Sequence, residues 1–203
     1  MIAIIDYGVG NLFSLASSFK AINFDVVVTS KPDEILEADK IILPGVGAFG
    51  DAAEKLFNSG LAEPLKIQAA KKIPLLGICV GMQLLFDVSY EFGEHKGLGL
   101  IPGEIKAISE IIPNDLKIPQ IGWNSLNIKN FGGVFKNSKQ GEYVYFVHSY
   151  SAFCDEKYIT SKTEYGAEIT ASVANENIFG VQFHPEKSGE AGLKILKAFC
   201  EVK

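Results

Sequence analysis

Cys79, His184 and Glu186 are the residues whose types and surroundings suit nucleophilic chemistry. Cys79 lies in Pro74-Leu75-Leu76-Gly77-Ile78-Cys79-Val80-Gly81-Met82-Gln83, where an apolar strand runs into a helical pattern. Glycines two positions to either side permit a tight turn, which stands the thiol above the end of the strand. A sulfur placed there faces helix-opening N–H groups, and the same amides can stabilise an oxyanion. Taken alone, a cysteine between Ile78 and Val80 is more simply a small buried hydrophobe. Gln182-Phe183-His184-Pro185-Glu186 changes the balance. In extended chain, residues two apart share a side, so Glu186 can lie against the His184 imidazole while Pro185 stiffens the spacing. The three then read as nucleophile, base and orienting acid.

These residues need elements that bring their strand ends together. Met1 to Asp6, Asp25 to Thr29, Lys40 to Leu43 and Ile73 to Ile78 are β-branched runs. They alternate with helical spacing over Asn11 to Ile22 and over Phe49 to Ala70, the latter broken near Gly60. That rhythm predicts a doubly wound α/β fold, with a mostly parallel sheet covered by helices on both faces. Glu104 to Ser109, Gly141 to Ser149, Ala167 to Val173 and Ile178 to Phe183 predict antiparallel additions to the same sheet, and a closing helix runs from about Glu190 to Cys200. Without repeat, low-complexity tract or linker, residues 1–203 are expected to form one domain. Ligands of such sheets bind beyond the carboxyl ends of the strands, where Cys79 and His184 fall.

Composition narrows the chemistry. The chain has 203 residues, 47% of them hydrophobic, and a formal net charge of -5; its 19 basic residues are all lysines. Lacking the bidentate grip of arginine, it is a poor candidate for binding nucleic acid. No apolar run approaches the roughly 20 residues of a membrane-spanning helix. The opening reads as a strand rather than a secretion leader, so a cytoplasmic location is expected. Three scattered cysteines, Cys79, Cys154 and Cys200, suit neither a disulfide framework nor a metal site, and no metal or cofactor is expected. Asp6-Tyr7-Gly8-Val9-Gly10-Asn11 starts like a nucleotide loop, but Phe13 takes the third glycine position, and the second strand ends in Thr29-Ser30 without an acid for a ribose. His95, Cys154 and Cys200 are assigned no chemistry.

The cysteine elbow and the His-Pro-Glu segment resemble the class I glutamine amidotransferases. Asp6 to Asn11, Pro44-Gly45-Val46-Gly47-Ala48-Phe49 and Gly122-Trp123-Asn124 resemble one branch, whose members feed ammonia to a separate (β/α)8-barrel synthase of histidine biosynthesis. The resemblance implies that Cys79 attacks the side-chain amide of glutamine, with His184 as base and Glu186 holding its ring. It implies an oxyanion hole from the amides of Val80 and of the turn near Val46 and Gly47, a turn that reorients when the partner holds its own substrate. Gln83, His148, Ser149 and Tyr150 would line the glutamine pocket, with Gln83 on the Cys79 side of the following helix. Asn11, Gln120, Trp123 and Asn124 would meet the partner, Gln120 replacing a histidine of the family. A paralogous glutaminase serving surface-sugar synthesis would share these residues. A stand-alone cysteine hydrolase would share the elbow and base but have no use for Gly-Trp-Asn, and a non-catalytic binding module would not need the three reactive groups together.

Overall fold

The computed structural model describes residues 1–202. Its strands are β1 Ile2–Ile5, β2 Val26–Thr29, β3 Lys40–Leu43, β4 Leu75–Ile78, β5 Val88–Ser89, β6 His95–Lys96, β7 Glu104–Ala107, β8 Gln120–Ser125, β9 Asn127–Ile128, β10 Tyr143–His148, β11 Tyr150–Phe153, β12 Ile159–Glu164, β13 Glu168–Asn175 and β14 Ile178–Val181. Its α-helices are α1 Leu12–Ala21, α2 Pro32–Leu36, α3 Phe49–Asn58, α4 Ala62–Ala70, α5 Val80–Gln83 and α6 Gly189–Cys200.

Eight strands form the main sheet in the order β2-β1-β3-β4-β14-β13-β12-β9. From β2 through β14 the neighbours are parallel, and β13, β12 and β9 extend the sheet by antiparallel pairing. β1, β4 and β14 are buried along their whole length. Such strands read as continuous apolar runs because helices flank the sheet. α1 packs against α6 and α2 against α4. α3 turns Phe49, Ala52, Ala53 and Leu56 inward at helical spacing, and the chain breaks at Gly60, in left-handed backbone, before α4.

Three expectations need correction. Ile178 to Val181 is parallel to β4, not antiparallel, because a strand buried on both faces belongs in the sheet interior. Its antiparallel partner is β13, reached by the turn at Glu176. Glu104 to Ala107 and Tyr143 to His148 leave the main sheet: β7 joins β11, β5 and β6, and β10 pairs with β8. In β10, Val144, Phe146 and His148 are buried while the alternate residues are less so, the pattern of a ribbon covered on one side. After Cys79 the helix lasts only four residues, and Leu84, Leu85 and Phe86 then turn into the core.

Candidate active site

The carboxyl ends of β1, β3, β4 and β14 lie along one edge, since these strands are parallel, and three hydrogen bonds tie their loops together. Tyr7 Oη donates to the Pro44 carbonyl at 2.7 Å, joining the loops after β1 and β3. The Val80 N–H donates to Gly45 O at 3.3 Å, joining β4 to the same turn, and the Cys79 N–H donates to Val181 O at 2.8 Å, joining β4 to β14. Burial and then the charge of Cys79 hold the Tyr7 hydroxyl far above its ordinary pKa, so it remains a donor.

Cys79 has φ 55° and ψ -115°, a backbone conformation costly for a residue with a Cβ and characteristic of functional turns. The flanking glycines make that turn possible by close approach. A Cβ on Gly81 would collide with the Leu43 carbonyl, and one on Gly77 with the Gly81 backbone. The one-turn α5 has little macrodipole to offer the sulfur.

His184 is buried beyond the end of β14, with Nδ1 2.8 Å from Oε1 of Glu186, whose side chain is also buried. Burial works against a charged imidazole, yet the neighbouring Cys79 sulfur and the Glu186 carboxylate outweigh it and raise the His184 pKa to about 9. Nδ1 belongs to Glu186, which leaves Nε2 for Cys79. Glu186 Oε2 has no hydrogen-bond partner among the described residues. A small space of about 10 Å³ is bounded by Asn11, Gly45, His184 and Glu186.

Above the sulfur opens a cleft of about 380 Å³, lined by Val46, Gly47, Cys79, Val80, Gln83, Glu91, Pro119, Val147, His148, Ser149, Tyr150, His184 and Lys187. All the residues expected for nucleophile, base, oxyanion turn and glutamine pocket reach it except Glu186, which lies behind His184. An adjoining cleft between α3 and the Glu91–Lys96 loop is larger, about 560 Å³, but has no nucleophile; there the His95 ring lies against Gly50.

Gln83 is buried rather than on a helix surface, and its Nε2 donates to Tyr150 O at 3.3 Å and to Gln182 Oε1 at 3.0 Å. His148 Nδ1 lies 2.8 Å from Tyr150 O, and its Nε2 lies 2.8 Å from the Gln120 side-chain amide. Burial, partly opposed by the Tyr150 carbonyl, lowers the His148 pKa to about 4, so the ring is neutral near pH 7. A carbonyl only accepts, so the single proton sits on Nδ1; the Gln120 amide stands with Oε1 toward Nε2 and satisfies that nitrogen when turned over to offer its NH2 group.

The residues expected at a partner contact divide. Trp123 is 54% exposed, with its ring edge-on to Tyr145. Asn11 accepts the Ser14 N–H as the cap of α1. The Asn124 side chain donates to Glu164 O and accepts the Ser125 N–H. Gln120 is buried and faces His148, away from any outer surface. Alternation along β8 explains this: Ile121 and Trp123 point outward, so Gln120 must point in.

Glu91 and Lys187 were missed as cleft residues. Glu91 Oε2 accepts the Phe49 N–H at 2.6 Å. Burial raises its pKa, against the opposing Phe49 N–H. Its glycine-rich, charged loop reads as an exposed connector, and nothing local in the sequence marks it. Lys187, immediately after Glu186, could have been found by extending the His-Pro-Glu segment one residue. Among the described residues, no group of three or more His, Cys, Asp or Glu is placed to hold a metal ion. No helix there is long and apolar enough to cross a membrane.

Comparison with known proteins agrees with this architecture. Residues 3–202 match the model of the family "Glutamine amidotransferase class-I". The chain is 50% identical over 203 residues to the imidazole glycerol phosphate synthase subunit HisH of Caldanaerobacter subterraneus, covering 100% of this chain and 98% of the relative. It is 49% identical over 205 residues to the subunit of the same name from Sulfurimonas denitrificans, covering 100% and 99%. Among solved structures, PurLQS from Thermotoga maritima superposes with a TM-score of 0.73 at 21% identity, covering 98% of this chain and 96% of that one. A crystal structure of a glutamine amidotransferase superposes with a TM-score of 0.76 at 13% identity, covering 98% and 100%. A fold shared at such low identity and a family match spanning nearly every residue agree: the chain belongs to the class-I glutamine amidotransferases and is an enzyme of that family.

Proposed function

We propose that this chain is the glutaminase subunit of an imidazole glycerol phosphate synthase, acting in the cytoplasm as one domain on a (β/α)8-barrel cyclase partner. The observation that carries the chemistry is the buried His184, bonded to Glu186 at Nδ1 and lining the same cleft as Cys79 at the strained elbow. The pathway rests on about half the residues being identical, over the full length, to relatives named as that subunit.

In this reading glutamine enters the cleft with its side-chain amide over Cys79. Glu91, the only acidic residue lining the cleft, takes the α-ammonium group. The sulfur attacks the amide carbon, and His184 Nε2 carries the thiol proton to the departing nitrogen. The C–N bond breaks, ammonia leaves and a thioester remains. Water then attacks the thioester carbon while giving its proton to His184, and the C–S bond breaks to release glutamate. Glu186 keeps Nδ1 protonated and stabilises the charged ring. The oxyanion formed at each step needs the Val80 N–H and an amide from Val46 or Gly47. At rest the Val80 N–H is bonded to Gly45 O, so it must exchange partners during turnover. Ammonia passes to the barrel partner, where it closes an imidazole ring and yields imidazole glycerol phosphate and an aminoimidazole carboxamide ribonucleotide. Trp123 and Ile121 are exposed apolar anchors for that partner.

The test is a glutaminase assay of the chain alone, with a barrel cyclase, and with the cyclase plus an analogue of its substrate. Turnover should rise at each step. Vigorous peptide cleavage by the chain alone would overturn the reading.

A further inference from the structure

Gln182 is fully buried, does not line the cleft, and has no part in the steps above. Its Nε2 nonetheless lies 3.8 Å from Sγ of Cys79, within range of an N–H···S hydrogen bond. Which end of its amide faces the sulfur is settled by its neighbours. Tyr150 O is an acceptor only, so Gln83 turns its NH2 group toward that carbonyl; the same NH2 group donates to Gln182 Oε1 at 3.0 Å. With its oxygen so engaged, Gln182 presents its own NH2 group to the sulfur. The backbone of Gln182 is tied to β13 by its N–H bond to Ala171 O at 2.9 Å, so the side chain starts from a fixed point. Gln182 thus brings a donor to the sulfur in addition to the His184 ring that lines the same cleft.

We propose that Gln182 is a further catalytic residue, whose side-chain N–H donates to the sulfur of Cys79 and sets the direction of its attack. The bond acts twice. During attack, as the S–C bond forms and the C–N bond breaks, it holds the thiolate over the amide carbon. During hydrolysis, as the O–C bond forms and the S–C bond breaks, the electron pair returns to a sulfur that this N–H already meets.

This inference rests on the glutaminase reading, and the experiment separates the two. The complex with the barrel cyclase is assayed as wild type, Gln182→Met and Gln182→Glu, and alkylation of Cys79 by iodoacetamide is followed by mass spectrometry. Gln182→Met keeps the volume and removes the donor. It should lower glutamine-dependent kcat about tenfold, with the KM for glutamine changed less than about twofold, the loss of one hydrogen bond to a charged group. Alkylation of Cys79, which needs no glutamine pocket, should slow in parallel. Gln182→Glu is nearly isosteric but directs an acceptor at the sulfur, and it should lose more. If Gln182→Met does not fold, Gln182→Glu decides alone. Wild-type kcat and alkylation rates in the variants overturn the inference. So does a raised KM at unchanged kcat, which would make Gln182 only a support for Gln83. If the wild-type complex itself does not hydrolyse glutamine, the glutaminase reading falls; if it does and the variants match it, only the role of Gln182 falls.

Discussion

The two sides of the cleft are built differently. On one side stand the Cys79 elbow and the hydrogen-bonded His184–Glu186 pair, buried and each rooted at the end of an interior strand. On the other lie the Pro44 to Gly47 turn and the outer face of β8, where Val46, Ile121 and Trp123 are exposed. The first side already has its base and acid joined and facing the same cleft as the sulfur. The second is incomplete, because the Val80 amide that an oxyanion would use is bonded to Gly45 O. The contrast teaches that burial and a short hydrogen bond fix the His184–Glu186 pair within this chain, whereas the turn at Val46 and the face of Ile121 and Trp123 are left at an exposed surface.

The largest expected effect is on the buried side. Cys79→Ala should lower glutamine-dependent synthesis by the complex by about 10⁴-fold or more, while synthesis supplied with ammonia continues on the partner's own site. Loss of both would make Cys79 structural. Next, Glu186→Gln should lower glutamine-dependent kcat by about 10³-fold, since the amide no longer enforces the ring's tautomer or offsets its charge. A variant with near wild-type kcat would detach Glu186 from the reaction.

A smaller effect concerns stability. His148 has its pKa lowered from 6.5 to about 4 by burial, so between these values the unfolded chain binds more protons than the folded one. Stability therefore rises with pH through that window and falls on acidification, by at most about 3 kcal/mol from this residue. Denaturant titrations at pH 7 and pH 4 should show a smaller difference in His148→Gln than in the wild type. An equal difference would remove His148 from the acid response. The smallest effect on the chain itself is expected on the open side. Trp123→Ala should change its own stability by less than about 0.5 kcal/mol but weaken binding to the barrel partner about tenfold, measured by calorimetric titration. A large loss of stability with unchanged affinity would make Trp123 a packing residue.

Legibility in the sequence followed the range of the signal. The runs Ile2–Ile5 and Leu75–Ile78 announce interior strands because burial on both faces leaves no polar alternation. The elbow is equally local: Gly77 and Gly81 are required by backbone contacts within a few residues and with the adjoining strand. Glu91 was not legible, because only the fold brings its loop over the cleft and against the Phe49 amide. The family resemblance puts Gln120 at the partner surface, while the pleat of β8 turns it to His148. β7 and β10 are legible as strand-forming segments, but their sheets are not, since pairing partners are chosen by distant segments.

The sequence by itself determined the order of buried strands, the tight cysteine turn and the His-Pro-Glu spacing, because each depends on residues near one another along the chain. Only the tertiary structure decided that His184 and Cys79 share one cleft across the junction of β4 and β14, that Gln182 turns an N–H toward the sulfur, and that the Val80 amide is engaged at rest. Those depend on which strands lie side by side and which hydrogen-bond partners are already taken, and neither follows from residue types or spacing alone.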